Sequence, residues 1–407
     1  VTKNDNLPIF VWIYGGNFVA GSSADPRYNT SYIVNASVVI HKPIIAVSIN
    51  YRLSGWGFLA SKEVVDAGEA NIGLFDQRLA LKWIQENIRE FGGDPSRVTI
   101  AGESAGGFSV GYHLTGFDGD KDGLFRAAIM ESGNSMGPAG ELPNIVYDDL
   151  RPLMALPVYS LSQLNTTYQP MYDNVTESVG CSKATDTLAC LRHVPYKTFY
   201  DAVSPFSIYP IVDGDFLTRL PSESFEKGLI ADVAILAGTN TDECTAFAPR
   251  RMTSMNERVT PAVALALGRI LDNDNDTRTL ISEINNGALE NNPTAVAKIM
   301  ELYPDNPVLG CPFGTGLERF VDQGGKQYKR GAALITDEIF HAGRRFTVKT
   351  YASRLQQQRK PVYSFRFDQT PWNGKEEIMA PVAPCNATHF SEVCLNAFLE
   401  SLSRVCD

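Results

Sequence analysis

The chain has 407 residues, 44% of them hydrophobic, enough for a large core and, by length alone, for two or three domains. A net charge of −10 and a pI near 5.1, with Lys and Arg never gathered into runs, argue against a nucleic-acid or anionic-membrane surface. No apolar stretch is long enough for a membrane span, so no integral membrane segment is expected.

Val1 opens a short polar lead, without an initiating Met, into a strand-like run at Ile9–Tyr14, as though the chain began inside a fold. This strand feeds into Gly15-Gly16-Asn17-Phe18, where glycines let backbone N–H groups approach a substrate oxygen unobstructed. A second run, Ile44–Asn50, follows. Then comes Asp76–Phe91, in which Ala80, Trp83, Ile84, Ile88 and Phe91 share one helical stripe that Gly92-Gly93 ends.

The run Val98–Ala101 leads into Gly102-Glu103-Ser104-Ala105-Gly106-Gly107, the sharpest chemical signal in the chain. A strand that turns abruptly into a helix lifts a serine hydroxyl above the sheet edge only if the residues two before and two after are very small, and Gly102 and Gly106 meet that need. Ala105–Leu114 has the apolar content of the helix that should follow, and its first free N–H points at any oxyanion formed beside Ser104. Such a nucleophile elbow implies a serine hydrolase, with Gly16, Asn17 and Ala105 as three candidate oxyanion donors.

Beyond a further strand at Ala127–Met130, residues 138–204 are rich in Pro, Asn, Ser and Thr and read as a loop-rich insertion. The strand Val233–Ala237 comes next, then a helical insertion over 260–355 with candidates Pro261–Leu271, Thr294–Tyr303 and Gly331–Leu355, and finally the strand Val362–Phe367. The strands are mostly continuous apolar runs, as expected where both faces are buried, and their alternation with helices predicts an α/β fold with a mostly parallel sheet. Its active site belongs in loops past the carboxyl ends of the strands. The whole, 1–407, reads as a single domain incomplete at both ends, since a helix-like segment is still running at Asp407.

Hydrolases of this architecture take their residues in the order Ser, then Asp or Glu, then His. Of the five histidines, only His341 and His389 follow comfortably. His341 sits in a helix among packing residues Ile339, Phe340 and Phe346, the setting of a structural histidine, whereas His389 lies in a loop after the strand Val362–Phe367 and is taken as the base. For the acid, position alone allows Asp242 or Glu243 in the loop after Val233–Gly238, with Asp213 and Asp215 as weaker rivals in a turn-like setting. Sequons at Asn29, Asn35, Asn165, Asn174, Asn275 and Asn386, together with Cys181 and Cys190 in a polar segment, favour a secreted glycoprotein. Seven cysteines leave one thiol over, and Cys244, Cys311, Cys385, Cys394 and Cys406 cannot be paired from sequence.

The segments Val11-Trp12-Ile13-Tyr14-Gly15-Gly16, Asn50-Tyr51-Arg52-Leu53, Asn71–Arg78, Asn87–Pro95 and Val98–Val110 resemble the type-B carboxylesterase/lipase family, which includes cholinesterases and fungal lipases. The resemblance implies an α/β-hydrolase fold and ester hydrolysis through an acyl-enzyme, with a small-molecule or lipid ester as substrate and no metal or organic cofactor. It also implies Glu243 as the acid, from the family's Asn-x-Asp-Glu-Gly motif, His389 as the base, Gly16, Asn17 and Ala105 as the oxyanion hole, and a Cys181–Cys190 disulfide. Phe206 resembles an acyl-pocket position, although an aromatic before a strand is more often core.

Three departures stand out: Asn17 replaces a glycine of the family's Gly-Gly-Gly-Phe, Cys244 replaces the glycine after the acid, and the family's first and last segments, including the lipase lid, have no counterpart. Asn tolerates unusual φ well, so the hole is expected to survive. A non-catalytic adhesion member of the same fold predicts a substituted Ser or His, and Ser104, Glu243 and His389 all stand. An inactive truncated product is the other alternative.

Overall fold

The computed structural model describes residues 2, 5–136, 168–206, 208–245, 271–284, 292–355, 360–369, 388–389 and 391. Among the described residues, six strands form one sheet: β1 (Leu7–Ile13), β2 (Ile45–Ser48), β3 (Gly93–Glu103), β4 (Ala127–Glu131), β5 (Ala234–Asn240) and β6 (Val362–Phe367). Their spatial order is β2-β1-β3-β4-β5-β6, and every pairing is parallel. All six sequence-predicted runs are strands of this sheet, because unbroken apolar stretches such as Val98, Ile100 and Ala101 are covered on both faces. The helices Ile72–Asn87, Ala105–Thr115 and Ala342–Leu355 pack on the sheet.

The first of these helices buries Ile84, and Ile88 just after it, as the predicted stripe has it, but not the stripe's two large aromatics. Trp83 and Phe91 are 49% and 57% exposed, with their rings 6.1 Å apart on the surface. The inward face carries Leu74, Gln77, Arg78, Leu81 and Ile84. Its two polar members have dedicated partners: Gln77 Nε2 donates to Ser109 Oγ (3.0 Å), and Arg78 Nη2 donates to the Asp120 carbonyl (3.2 Å) while stacking over Phe117. A buried polar group is tolerated when it is hydrogen-bonded, so the helix is turned one step from where hydrophobicity alone aims it.

The predicted loop-rich stretch carries three helices over its described residues: Gln169–Ser178, Thr187–Arg192 and Tyr196–Val203. A Cys181–Cys190 disulfide closes the turn between the first two. Tyr196 and Phe199 of the third seat on Trp56, at 4.8 and 4.9 Å between ring centroids. In the later helical block, Thr294–Tyr303 is observed as Pro293–Leu302, with Pro at its start and the Asn292 side chain capping the Ala295 N–H. Gly331–Leu355 is divided by a π-helical turn at Asp337–His341, between Tyr328–Thr336 and Ala342–Leu355. The candidate helix Pro261–Leu271 lies outside the described residues except for Leu271.

Candidate active site

β3 is a central strand, paired with β1 on one side and β4 on the other. At its carboxyl end the chain reverses into the helix Ala105–Thr115 through Ser104, which adopts φ 55° and ψ −123°. This is a strained conformation for a residue with a Cβ. It is held by the Ser104 N–H on the Glu131 carbonyl of β4 (2.9 Å) and by the Ser104 carbonyl, which accepts the Phe108 N–H (2.8 Å). The surrounding glycines are steric necessities. A Cβ on Gly106 would lie 1.9 Å from the Ile13 carbonyl oxygen, and one on Gly102 would lie 2.4 Å from the Gly106 backbone.

The glycine loop after β1 meets this elbow. A Cβ on Gly15 would be 2.9 Å from the Ser104 Cβ, so only glycine lets the two backbones approach so closely. Gly16, Asn17 and Phe18 then take positive φ values of 114°, 57° and 61°, with Asn17 accommodating the left-handed region as expected. Ala105, at the helix start beside Ser104, is buried.

The loop after β5, which carries the candidate acids, contains a short helical turn, Glu243–Thr245. The Glu243 carboxylate is fully buried and bonded through both oxygens. Oε1 accepts from Ser132 Oγ (2.7 Å) and from the Asn240 N–H (2.7 Å), which leaves Oε2 to accept from His389 Nδ1 (2.7 Å). That bond fixes the tautomer of the imidazole. The His389 ring also rests on Phe340, with centroids 4.8 Å apart. Its other nitrogen, Nε2, lies 3.0 Å from Oε1 of Glu103, the residue joined to Ser104.

The backbone before His389 is equally tied down. Asn240 Nδ2 donates to the Thr388 carbonyl (2.6 Å), Thr245 and Thr388 hydroxyls meet at 2.6 Å, and Asp242 and Thr388 form a parallel bridge. The residues predicted as base and acid are thus brought together, on the elbow side of the sheet.

The rival candidates sit elsewhere. Asp242 is turned away, its Oδ1 accepting from the Phe313 N–H (2.8 Å) and the Cys311 thiol (3.2 Å). Asp213 organises its own turn, accepting from the Leu217 and Asp215 N–H groups. His341 is buried beneath the acid loop, with Nδ1 2.9 Å from Asp337 Oδ1 and Nε2 donating to the Asn240 carbonyl (2.8 Å). Phe206 is half-buried and packs against the main core, its N–H closing the helix Tyr196–Val203 onto the Val203 carbonyl.

Sequence reasoning missed Glu103 and Ser132. Each had a signal: a carboxylate at the carboxyl end of a strand, and a serine directly after Ala127–Glu131, at the strand ends where such sites are built.

The family model described as the carboxylesterase family matches residues 1–398. The chain belongs to the carboxylesterase family. Its relatives include Lipase 4 of Diutina rugosa, 35% identical over 356 residues, and Secreted lipase 1 of Botryotinia fuckeliana, 36% identical over 365 residues. These alignments cover 84% and 86% of this chain but 56% and 55% of the relatives, so the chain spans about half the length of the curated relatives it matches. Cholinesterase of Mus musculus is 38% identical over 248 residues, 61% of this chain and 38% of that protein. Among solved structures, Aspergillus niger EstA superimposes with a TM-score of 0.70 at 24% identity, over 96% of this chain and 64% of that one. A PNB esterase follows at 0.65 and 25%, over 99% and 67%. The parallel sheet with its surrounding helices is accordingly an α/β-hydrolase fold.

Proposed function

We propose that this chain hydrolyses carboxylic esters by two-step acyl transfer, with Ser104 as nucleophile, His389 as general base and acid, and Glu243 as the carboxylate that orients the imidazole. The observation that carries this reading is the 2.7 Å bond from His389 Nδ1 to the buried Glu243 carboxylate, with the opposite ring nitrogen 3.0 Å from Oε1 of Glu103, the residue before Ser104. An imidazole held in that tautomer presents Nε2 as the proton acceptor for the Ser104 hydroxyl.

As Ser104 attacks the ester carbonyl, His389 takes its proton, and the charge that gathers on the ring is stabilised by Glu243. The oxyanion is received by the N–H groups of Gly16, Asn17 and Ala105, on the glycine loop that packs closely on Ser104 and at the start of the helix that follows it. His389 then protonates the departing alcohol, and water repeats the sequence to release the acid. The scheme runs on side chains and main-chain amides alone.

The substrate is a small-molecule or lipid ester, in keeping with relatives named as lipases and esterases. Secretion is supported by a relative named as secreted and by the Cys181–Cys190 disulfide. Glycosylation at Asn29, Asn35, Asn174 and Asn275 is supported by the exposure of all four asparagines; Asn165 and Asn386 lie outside the described residues.

The test is turnover of short p-nitrophenyl esters together with labelling by an organophosphate. Folded chain should be labelled at Ser104 and lose its activity in proportion, and Ser104→Ala should fall by at least about 10⁴-fold. Activity surviving in Ser104→Ala, or folded parent that neither turns over nor takes the label, would remove the proposal. A panel of acyl lengths, with and without emulsion, separates esterase from lipase.

A further inference from the structure

Cys244 and Cys311 are the free cysteines among the described residues, and both are fully buried. Cys244 directly follows Glu243, at the position where the resembled family carries glycine. Cys311 comes from a distant segment, anchored by its N–H on the Lys329 carbonyl (3.0 Å). One hydroxyl joins them: Thr336 Oγ1 accepts the Cys244 N–H at 2.9 Å, bonds the Cys244 thiol, and lies 4.0 Å from the Cys311 sulfur. The Cys311 sulfur is therefore within about 7 Å of the Cys244 amide nitrogen, with one hydroxyl between the two residues.

We propose that Cys244 and Cys311 are a modification site, oxidised to a second intramolecular disulfide that pins the acid loop to the segment around Cys311. The oxidant is a low-molecular-weight disulfide of the glutathione type. The two thiols give up two electrons and two protons and become one S–S bond, while the oxidant is cleaved to two thiols. The Cys181–Cys190 bridge already marks the chain as one that folds where such oxidants act.

The same burial that brings the thiols together pushes both of them well above the usual thiol range, which starves a folded molecule of reactive thiolate. Oxidation therefore belongs to folding, before the acid loop closes, and the finished bridge is shielded from reductant. Asp242 loses the Cys311 thiol as a donor but keeps the Phe313 N–H. None of this depends on the hydrolytic reading.

The experiment uses full chain folded in a glutathione redox pair, denatured with N-ethylmaleimide and no reductant, then digested and mapped by mass spectrometry. The expected product is a linked peptide carrying Cys244 and Cys311, with neither residue alkylated. Cys244→Ala and Cys311→Ser should each lower Tm by on the order of 5 °C. The double variant should fall no further, because either substitution removes the same bond. The proposal is overturned if both residues are recovered alkylated from protein that retains Cys181–Cys190, or if either is found linked to Cys385, Cys394 or Cys406. Additive Tm losses would also overturn it. Should a variant fail to fold, the peptide map of the parent decides alone.

Discussion

Glu338 lies in the π-helical turn beneath the acid loop, and its side-chain Oε1 is out of water without a hydrogen-bond partner among the described residues. Burial raises its carboxyl from 4.5 to about 8, so the folded chain keeps a proton at neutral pH that the unfolded chain releases. Folding must then take up that proton, and the site costs stability progressively as pH rises from 4.5 towards 8. At 1.36 kcal/mol per unit of displaced titration, the cost at pH 7 is about 3 kcal/mol, and at pH 5 it is about 1 kcal/mol. Glu338→Gln supplies a neutral side chain of the same shape and removes this dependence. For a chain of this size the variant should melt on the order of 4 °C above the parent at pH 7 and about 1 °C above it at pH 5. Paired thermal unfolding curves at the two pH values make the measurement, and comparing variant with parent cancels every other titrating group. A Tm difference that is flat with pH, or larger at pH 5 than at pH 7, would show that the carboxyl is ionised in the folded chain and refute the reasoning.

Two further outcomes follow from the site. Ser132→Ala removes one of the two donors on Glu243 Oε1 and frees the carboxylate to rotate about the remaining Asn240 N–H, so kcat should fall by roughly tenfold with little change in KM, read from p-nitrophenyl ester kinetics. Gly106→Ala drives a methyl group to 1.9 Å from the Ile13 carbonyl, backbone against backbone, and should lower stability by about 3 kcal/mol or more, seen as loss of soluble folded chain or a Tm several degrees down.

What could be read from the sequence was whatever depends on neighbours along the chain. Val98–Ala101 is apolar throughout because a central parallel strand is buried on both faces, and Gly102 and Gly106 bracket Ser104 because the turn has no room for a Cβ. What could not be read depends on partners far away. The buried face of Ile72–Asn87 is set by Gln77 and Arg78, whose acceptors come from Ser109 and Asp120. Periodicity treats both as solvent-facing, and so it set Trp83 and Phe91 beside Ile84 and Ile88, of which only the isoleucines are buried.

The choice between Asp242 and Glu243 shows the same limit at the site itself. They are adjacent carboxylates of one loop, and position alone does not distinguish them; only the resemblance to the family motif picks Glu243. They part because the Asn240 N–H and the Ser132 hydroxyl converge on Glu243, while Asp242 is claimed by the Phe313 N–H and the Cys311 thiol from the opposite side. Each carboxylate is thus fixed by donors from other elements, and the loop is held from both sides. That leaves Glu243 Oε2 little freedom to do anything but meet His389, and it explains why the residue after it can be a cysteine rather than a glycine: the Cys244 N–H is spent on Thr336, so the loop's path is set by that bond and not by backbone flexibility.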